Sequence, residues 1–422
     1  MIIDDILKVI YAPHKVFKSI VANPKYLGAL IVLILIIGLQ VGFEYVQFSK
    51  TYPEQTTPLI GQLDAYTNAS SGNWRGSSGV ALTNNYDDYF NYTVYYAGYG
   101  YIPYIFGNSS LQINSENTDN ISAAIGNAFN VDCSPSGFQN LSMFIKLVQP
   151  QLAPQNATLT LYSLGDTDFY QYDLTPSLSG GSTIGQWNNL TIPLGTNATG
   201  WTSNGNPTWS NVTALKLGFT YPSASNVTIN VGALFFRGHY VSFTEFDSSV
   251  VLASLLERFS LQFLLSWFLI SVIIFLMLRL LKSVIVWKPV FIAIGISLFV
   301  MAIRAVINLI ATLTLPAVYY PFDLSIGLGF NPYGLISYPS QIIGMSLAES
   351  QATFNNIAAA TAIFGSINLA TFVVAYVWLG GLCTIILGTL RPDFSLLKRI
   401  ALSAIPIGIT ILVLIFLITG FA

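Results

Sequence analysis

Arg304 breaks a long apolar run, and polar residues recur around it at helical spacing. Ser297 lies seven residues before it, and Asn308 and Thr312 follow in steps of four, so all four fall on one face of a helix. A cation within hydrocarbon is costly and turns toward protein or water. Its acidic partner is expected among Glu257, Glu44, Asp323 and Glu349, which lie near the same boundary. A pair that fixes helix packing, or an arginine reaching for the interface, is the expected role ahead of a pathway for a small solute.

The other chemistry is concentrated in residues 49–248. Ten Asn-x-Ser/Thr triplets occur there and none elsewhere, at Asn68, Asn91, Asn108, Asn120, Asn140, Asn156, Asn189, Asn197, Asn211 and Asn226. The composition of the segment alone would give about half that number, so the clustering predicts attached glycans. Trp187, Trp201 and Trp209 stand in or beside strand-like runs. An indole face suits the C–H face of a pyranose, which makes them candidates for stacking on an envelope glycan, although core packing is the commoner use of such residues. Asp166 and Asp168 have the residue type for calcium ligation, but a solvated turn is the simpler reading.

Catalytic constellations are missing. The sequence has no Walker loop, no G-x-S-x-G and no zinc-spaced Cys or His set, and its histidines are His14 and His239. A non-enzymatic protein without cofactor or bound metal is therefore expected. Of 422 residues only 9% are charged against 53% hydrophobic, and the net charge is -2. That composition excludes an ordinary soluble surface and leaves no basic field for nucleic acid.

Five stretches are long enough to cross about 30 Å of hydrocarbon, at about 26–46, 259–281, 290–315, 364–390 and 400–421. Ten of the 17 basic residues fall in three short pieces: Lys8 to Lys25, Arg279 to Lys288, and Arg391 to Arg399. Positive flanks stay in the cytoplasm, which places the N terminus inside and both the C terminus and residues 49–248 outside. Cys133 and Cys383 then lie in different solvents and are not expected to pair. Residues 1–25 read as amphipathic helices on the cytoplasmic membrane surface, with Pro13 and Pro24 at helix starts.

Residues 26–48 form the first span, an uncleaved anchor, and residues 249–422 the other four. Gly38 and Gly42 form a G-x-x-x-G, and Gly365, Ala370, Ala375, Gly380 and Gly381 give the fourth span a small-residue face, both suited to close packing within the bundle. Within the polar insert, runs at 141–148, 157–164, 188–194, 212–221 and 226–238 alternate or are β-branched, separated by Gly, Pro, Asn and Ser. They predict an antiparallel, jelly-roll-like β-sandwich over about 119–240. The two closing runs resemble the last strands of galactose-binding or carbohydrate-binding modules. So few charges outside would suit an acidic exterior of archaeal type.

The membrane part resembles the Yip domain family. The resemblance rests on the opening APHKVFKSIVANP, on Trp378, Leu379, Gly381 and Leu382 in the fourth span, and on a basic turn and proline (Arg391 to Pro406) opening the last span. It covers about residues 1–47 and 250–422. Eukaryotic members contact prenylated GTPases and shape vesicle traffic. Their acidic-Leu-Tyr-Gly-Pro signature is absent here, Pro332-Tyr333-Gly334 being the only piece like it, so the resemblance implies membrane organisation without GTPase contact.

The expected whole is a membrane α-helical bundle of five spans with an inserted all-β sandwich. It would be a cell-envelope protein in contact with lipid and with an envelope glycan or a membrane-protein partner, organising membrane or envelope. Two alternatives are a carbohydrate- or protein-recognition module anchored by the bundle, and a small-solute transporter using the Arg304 stripe.

Overall fold

The computed structural model describes the chain apart from positions 1, 60, 92–93, 97–99, 103–105, 127–128, 166, 181–182, 247, 323–346 and 421–422. Two short helices, α1 (Ile2–Tyr11) and α2 (Pro13–Ala22), precede α3 (Tyr26–Ser49). Pro13 opens α2, where its missing N–H costs nothing. Both short helices have an amphipathic pattern, and their apolar sides are covered by the bundle: Val9 and Phe17 are fully buried in the same core as Ile274 and Ile386.

Next come β1 (Thr51–Thr57), β2 (Trp74–Gly76), β3 (Val80–Asn85), β4 (Val94–Tyr96), β5 (Gly100–Ile102) and β6 (Ser110–Ile125). They are followed by β7 (Asn140–Gln149), β8 (Asn156–Leu164), β9 (Asp168–Asp173), a single turn α4 (Thr175–Leu178), β10 (Trp187–Pro193), β11 (Trp201–Asn204) and β12 (Ala214–Tyr240). The membrane part resumes with α5 (Phe243–Phe246), α6 (Ser248–Leu280), α7 (Trp287–Ser297), α8 (Phe299–Leu313), the short β13 (Val318–Tyr320), α9 (Leu347–Leu390) and α10 (Leu396–Gly420).

The insert is an antiparallel β-sandwich. Its two longest strands, β6 and β12, pair over most of their length and change register around Thr220 to Val227. The first half of β12 pairs with β8, which leads to β9 and β11; the second half pairs with β7, which leads to β10. Inward-facing residues of both halves, such as Leu159, Leu161, Leu215 and Leu217 with Leu141, Met143 and Ile145, form one core. The runs at 212–221 and 226–238 are thus one bent strand, not a closing pair. In the tyrosine-rich part before residue 118, β2 and β3 add to β6, and β4 and β5 make a separate hairpin.

Five helical segments are long and apolar enough to cross a membrane: Tyr26–Ser49, Ser248–Leu280, Trp287–Leu313, Gln351–Leu390 and Leu396–Phe416. The third is two helices broken at Leu298, so Ser297 and Arg304 do not share one uninterrupted helix. Its residues are the most enclosed of the five, with the other helices around it. Apolar side chains that face outward, such as Ile34, Val377 and Leu412, are what a lipid-facing surface requires. The expected small-residue packing holds at Ala375, which is buried, and at Gly380, where a Cβ would stand 3.7 Å from Ile407, but among the described residues a Cβ at Gly38, Gly42, Gly365 or Gly381 would meet nothing within 4 Å. Close approach occurs at Gly295, where a Cβ would lie 2.5 Å from the Trp267 ring.

The two ends of the bundle differ. At one, Arg391 donates to Ser283, linking the loops after α6 and before α10, and α2 packs on α7 and α9. At the other, Lys50 donates to the carbonyls of Leu313 (2.7 Å) and Leu315 (2.6 Å), and β1 pairs with β13 beside the sandwich. The three basic segments therefore share the end away from the sandwich.

Candidate functional site

A groove of about 670 Å³ lies on the outer face of the β6–β12–β8–β9 half of the sandwich. It follows from strict alternation: Leu215, Leu217 and Phe219 point to the core, so Lys216, Gly218 and Thr220 point out. Register sets the neighbours. Lys216 lies opposite Thr160, and Thr160 opposite Gln171; Gly218 lies between Thr158 and Ser122; Thr220 lies between Asn156 and Asn120. At one end Tyr162 and Phe169 meet edge to face at 5.7 Å.

Gly218 keeps the floor low. A Cβ there would stand 2.9 Å from the Thr158 hydroxyl. The lining is hydroxyls, amides, the rings of Tyr162 and Phe169 and the core-facing Phe219, with a single charge, Lys216. Such a surface can exchange many neutral hydrogen bonds and stack an apolar ring face.

The three predicted tryptophans are not on this groove. Trp209 is 6% exposed and stacked on Tyr170 at 3.9 Å, so its face is not open to a sugar. Trp201 is half-buried against Tyr172 and Trp209, with its indole N–H bonded to the Pro193 carbonyl at 2.7 Å. Trp187 is half-buried elsewhere, against Phe90 and under Lys146. All three take part in ring packing, and only Trp209 is closed off by it; Trp187 and Trp201 stay half-exposed. The groove residues escaped notice because Thr, Ser, Asn and Gln on alternate strand positions are what any solvated sheet face carries; only the register of four strands brings them together.

Of the ten Asn-x-Ser/Thr asparagines, Asn68, Asn91, Asn108, Asn120, Asn156, Asn189, Asn197 and Asn226 are exposed, and Asn140 and Asn211 are half-buried. Asn120 and Asn156 line the groove itself. Asp168 accepts the Asn206 N–H at 2.8 Å, as a turn-closing residue, and Asp166 lies outside the described residues. Among the described residues no group of three His, Cys, Asp or Glu is placed to hold a metal. Cys133 and Cys383 are separate, buried thiols.

A second polar place lies among the helices. Arg304 donates through Nη2 to the Asn368 side chain at 2.8 Å, and Asn308 donates to the same oxygen at 3.0 Å. Thr371 in turn donates to the Asn308 side chain at 2.9 Å. Arg304's bonded partner is therefore an asparagine of α9 and not Glu257, which is exposed on α6. The side chains of Asp323 and Glu349 lie outside the described residues. Glu44, 3% exposed, shares a cavity of about 240 Å³ with Arg304, Arg258, Gln40, Gln262 and Asn368.

No known protein family matches the sequence, and no curated protein does. Among solved structures, part of the chain is similar to the family 11 carbohydrate-binding module of the cellulosomal cellulase Lic26A-Cel5E of Clostridium thermocellum, at 13% identity and a TM-score of 0.25, over 39% of this chain and 86% of that one. An exo-β-agarase is matched at 11% identity and 0.28, over 42% of this chain and 25% of that one. TmCBM61, solved with β-1,4-galactotriose, is matched at 10% identity and 0.23, over 42% of this chain and 92% of that one. The sugars and reactions named for those proteins are theirs; the groove's own residues are what bear on this chain.

Proposed function

We propose that the chain is a membrane-anchored saccharide-recognition protein. Five helices hold the sandwich outside the cell, with the basic end of the bundle in the cytoplasm, and the groove around Gly218 binds a neutral stretch of envelope polysaccharide without reacting on it. The supporting observation is the groove's lining: hydroxyls and amides from four strands, with Tyr162 and Phe169 at one end. Holding a polysaccharide close to the bilayer is an organising role, in keeping with what the Yip resemblance implies.

The test is retention of the purified full chain, in uncharged detergent, on immobilised neutral and acidic polysaccharides. Binding to at least one neutral polymer is expected, weakened about tenfold or more by Tyr162→Ala or Gln171→Ala with no change in melting. Absence of retention on every neutral polymer, or retention that survives both substitutions, overturns the reading.

A consequence concerns glycosylation. A glycan on Asn120 or Asn156 would fill the groove, so these two are bare in the binding form, whereas exposed sites away from it, such as Asn68 and Asn189, are free to carry glycans. Glycopeptide mapping of protein from its native membrane checks this. Full occupancy at Asn120 or Asn156 would remove the groove from consideration.

A further inference from the structure

The cavity among α3, α6, α8 and α9 has an excess of positive charge. Glu44 takes one guanidinium: Arg258 lies 3.4 Å from its carboxylate. Arg304 shares that one carboxylate only at a distance, in the same cavity, and its own hydrogen bond goes to a neutral group, so among the described residues two guanidinium groups stand against a single acid. Its Nη2 bonds to Asn368, whose oxygen is already shared with Asn308, and its Nε is buried with no hydrogen-bond partner among the described residues. Its guanidinium also sits 5.2 Å over the Phe372 ring.

A guanidinium does not shed its proton in a protein, so Arg304 stays charged. An incompletely paired charge surrounded by lipid-facing helices is unfavourable unless an anion completes it. Room for one exists, since the cavity of about 240 Å³ is several times what a single water needs. Gln40 and Gln262 add amide donors to its polar side. Apart from Ser266 and Tyr376 the rest of the wall is apolar, with Phe259, Phe263 and Met301 among its residues. One polar wall with surplus positive charge and one hydrocarbon wall match a ligand with the same two halves.

We propose that this cavity binds the phosphate headgroup of an anionic amphiphile, with the oxyanion on Arg304 and the start of the hydrocarbon against Phe259, Phe263 and Met301. The site is separate from the saccharide groove and does not depend on it.

The experiment is thermal melting of the full chain in uncharged detergent with added phosphatidic acid, phosphatidylcholine or inorganic phosphate, for the natural sequence, Arg304→Gln and Arg304→Lys. Phosphatidic acid should raise the melting temperature of the natural chain by several degrees over phosphatidylcholine. The rise should vanish in Arg304→Gln and be reduced in Arg304→Lys, which keeps the charge and loses the fork. If Arg304→Gln does not fold, Arg304→Lys with native mass spectrometry of retained phosphatidic acid gives the same comparison, and undiminished retention there overturns the site. Equal shifts with phosphatidic acid and phosphatidylcholine, or a shift unchanged by either substitution, also overturn it. An equal shift with inorganic phosphate at the same concentration would assign the site to a soluble anion and overturn the amphiphile.

Discussion

Glu54 accepts two hydrogen bonds from Arg237, from Nε at 2.9 Å and from Nη2 at 3.0 Å, where the sandwich joins the membrane part. Glu54 stands on β1, just after α3, and Arg237 near the end of β12, shortly before α6, so the pair ties together the two chain segments that enter and leave the insert. The carboxylate also accepts the N–H of Gly238 at 2.6 Å and that of Phe322, whose ring lies 5.3 Å under the guanidinium. Both side chains are largely buried, at 2% and 12% exposure.

Removing one member of a buried, bidentate pair leaves the other without a counter-charge and typically costs about 3–5 kcal/mol. Glu54→Gln is therefore expected to lower the melting temperature and to admit protease at the junction of sandwich and bundle. Replacing both residues by apolar ones of similar size, Glu54→Leu with Arg237→Met, should recover only the part due to Arg237 left without a counter-charge, because the N–H groups of Gly238 and Phe322 still lose their acceptor. If Arg237→Met alone costs nothing and the double substitution is as destabilised as Glu54→Leu alone, the pair does not couple the two parts.

Gly218 tests the groove by filling it. Gly218→Val places methyl groups on the floor, with the first carbon 2.9 Å from the Thr158 hydroxyl, a side-chain tip that can rotate away. Saccharide retention is expected to be lost while melting falls by no more than about 1–3 kcal/mol of stability. Retention at the natural level would place the ligand elsewhere on the sandwich.

Cys133 carries a pH prediction. Burial, and after it the neighbouring charge of Asp132, push its thiol from 9.0 up to about 12. In the unfolded chain the proton leaves near 9.0, so between 9.0 and about 12 the unfolded state holds fewer protons and stability falls as pH rises. The contribution is whole below 9.0, and its loss reaches at most about 1.4 kcal/mol per pH unit within the window. Tyr221, pushed by burial from 10.0 to about 12, adds the same sign. Denaturant melts should show the slope, and Cys133→Ala should reduce it. At neutral pH iodoacetamide should label Cys133 only in denaturant; rapid labelling of the native chain would contradict its burial.

Much of this architecture can be read before folding. Hydrocarbon demands some twenty apolar residues and the pleat demands alternation, so the spans and the strands at β7, β8 and β10 declare themselves locally. The polar face at Arg304 and Asn308 is equally local. What local pattern lacks is the partner: Asn368 is an unremarkable polar residue 64 positions from Arg304, and Glu54 is 183 from Arg237. The groove is hidden for the same reason, since Lys216 meets Gln171 only through Thr160 between them. Glycine spacing misled because Gly38 and Gly42 satisfy a packing pattern where, among the described residues, a Cβ would meet nothing within 4 Å.

Gly295 is a glycine that helix packing uses, and it sets the distance between α6 and α7. The Trp267 ring cannot swing aside cheaply, because its N–H donates to the Phe291 carbonyl at 2.6 Å and its face stacks on the Phe291 ring at 4.3 Å. A Cβ at position 295 would lie 2.5 to 2.7 Å from three atoms of that ring. Gly295→Ala should therefore destabilise the chain in detergent by about 1–3 kcal/mol, and Gly295→Leu should prevent a folded bundle. Adding Trp267→Phe removes the crowded atoms and should restore part of the loss. Melting followed by size-exclusion chromatography reads all three variants. If Gly295→Leu elutes as a monodisperse species with the natural melting temperature, the two helices are not held at this distance.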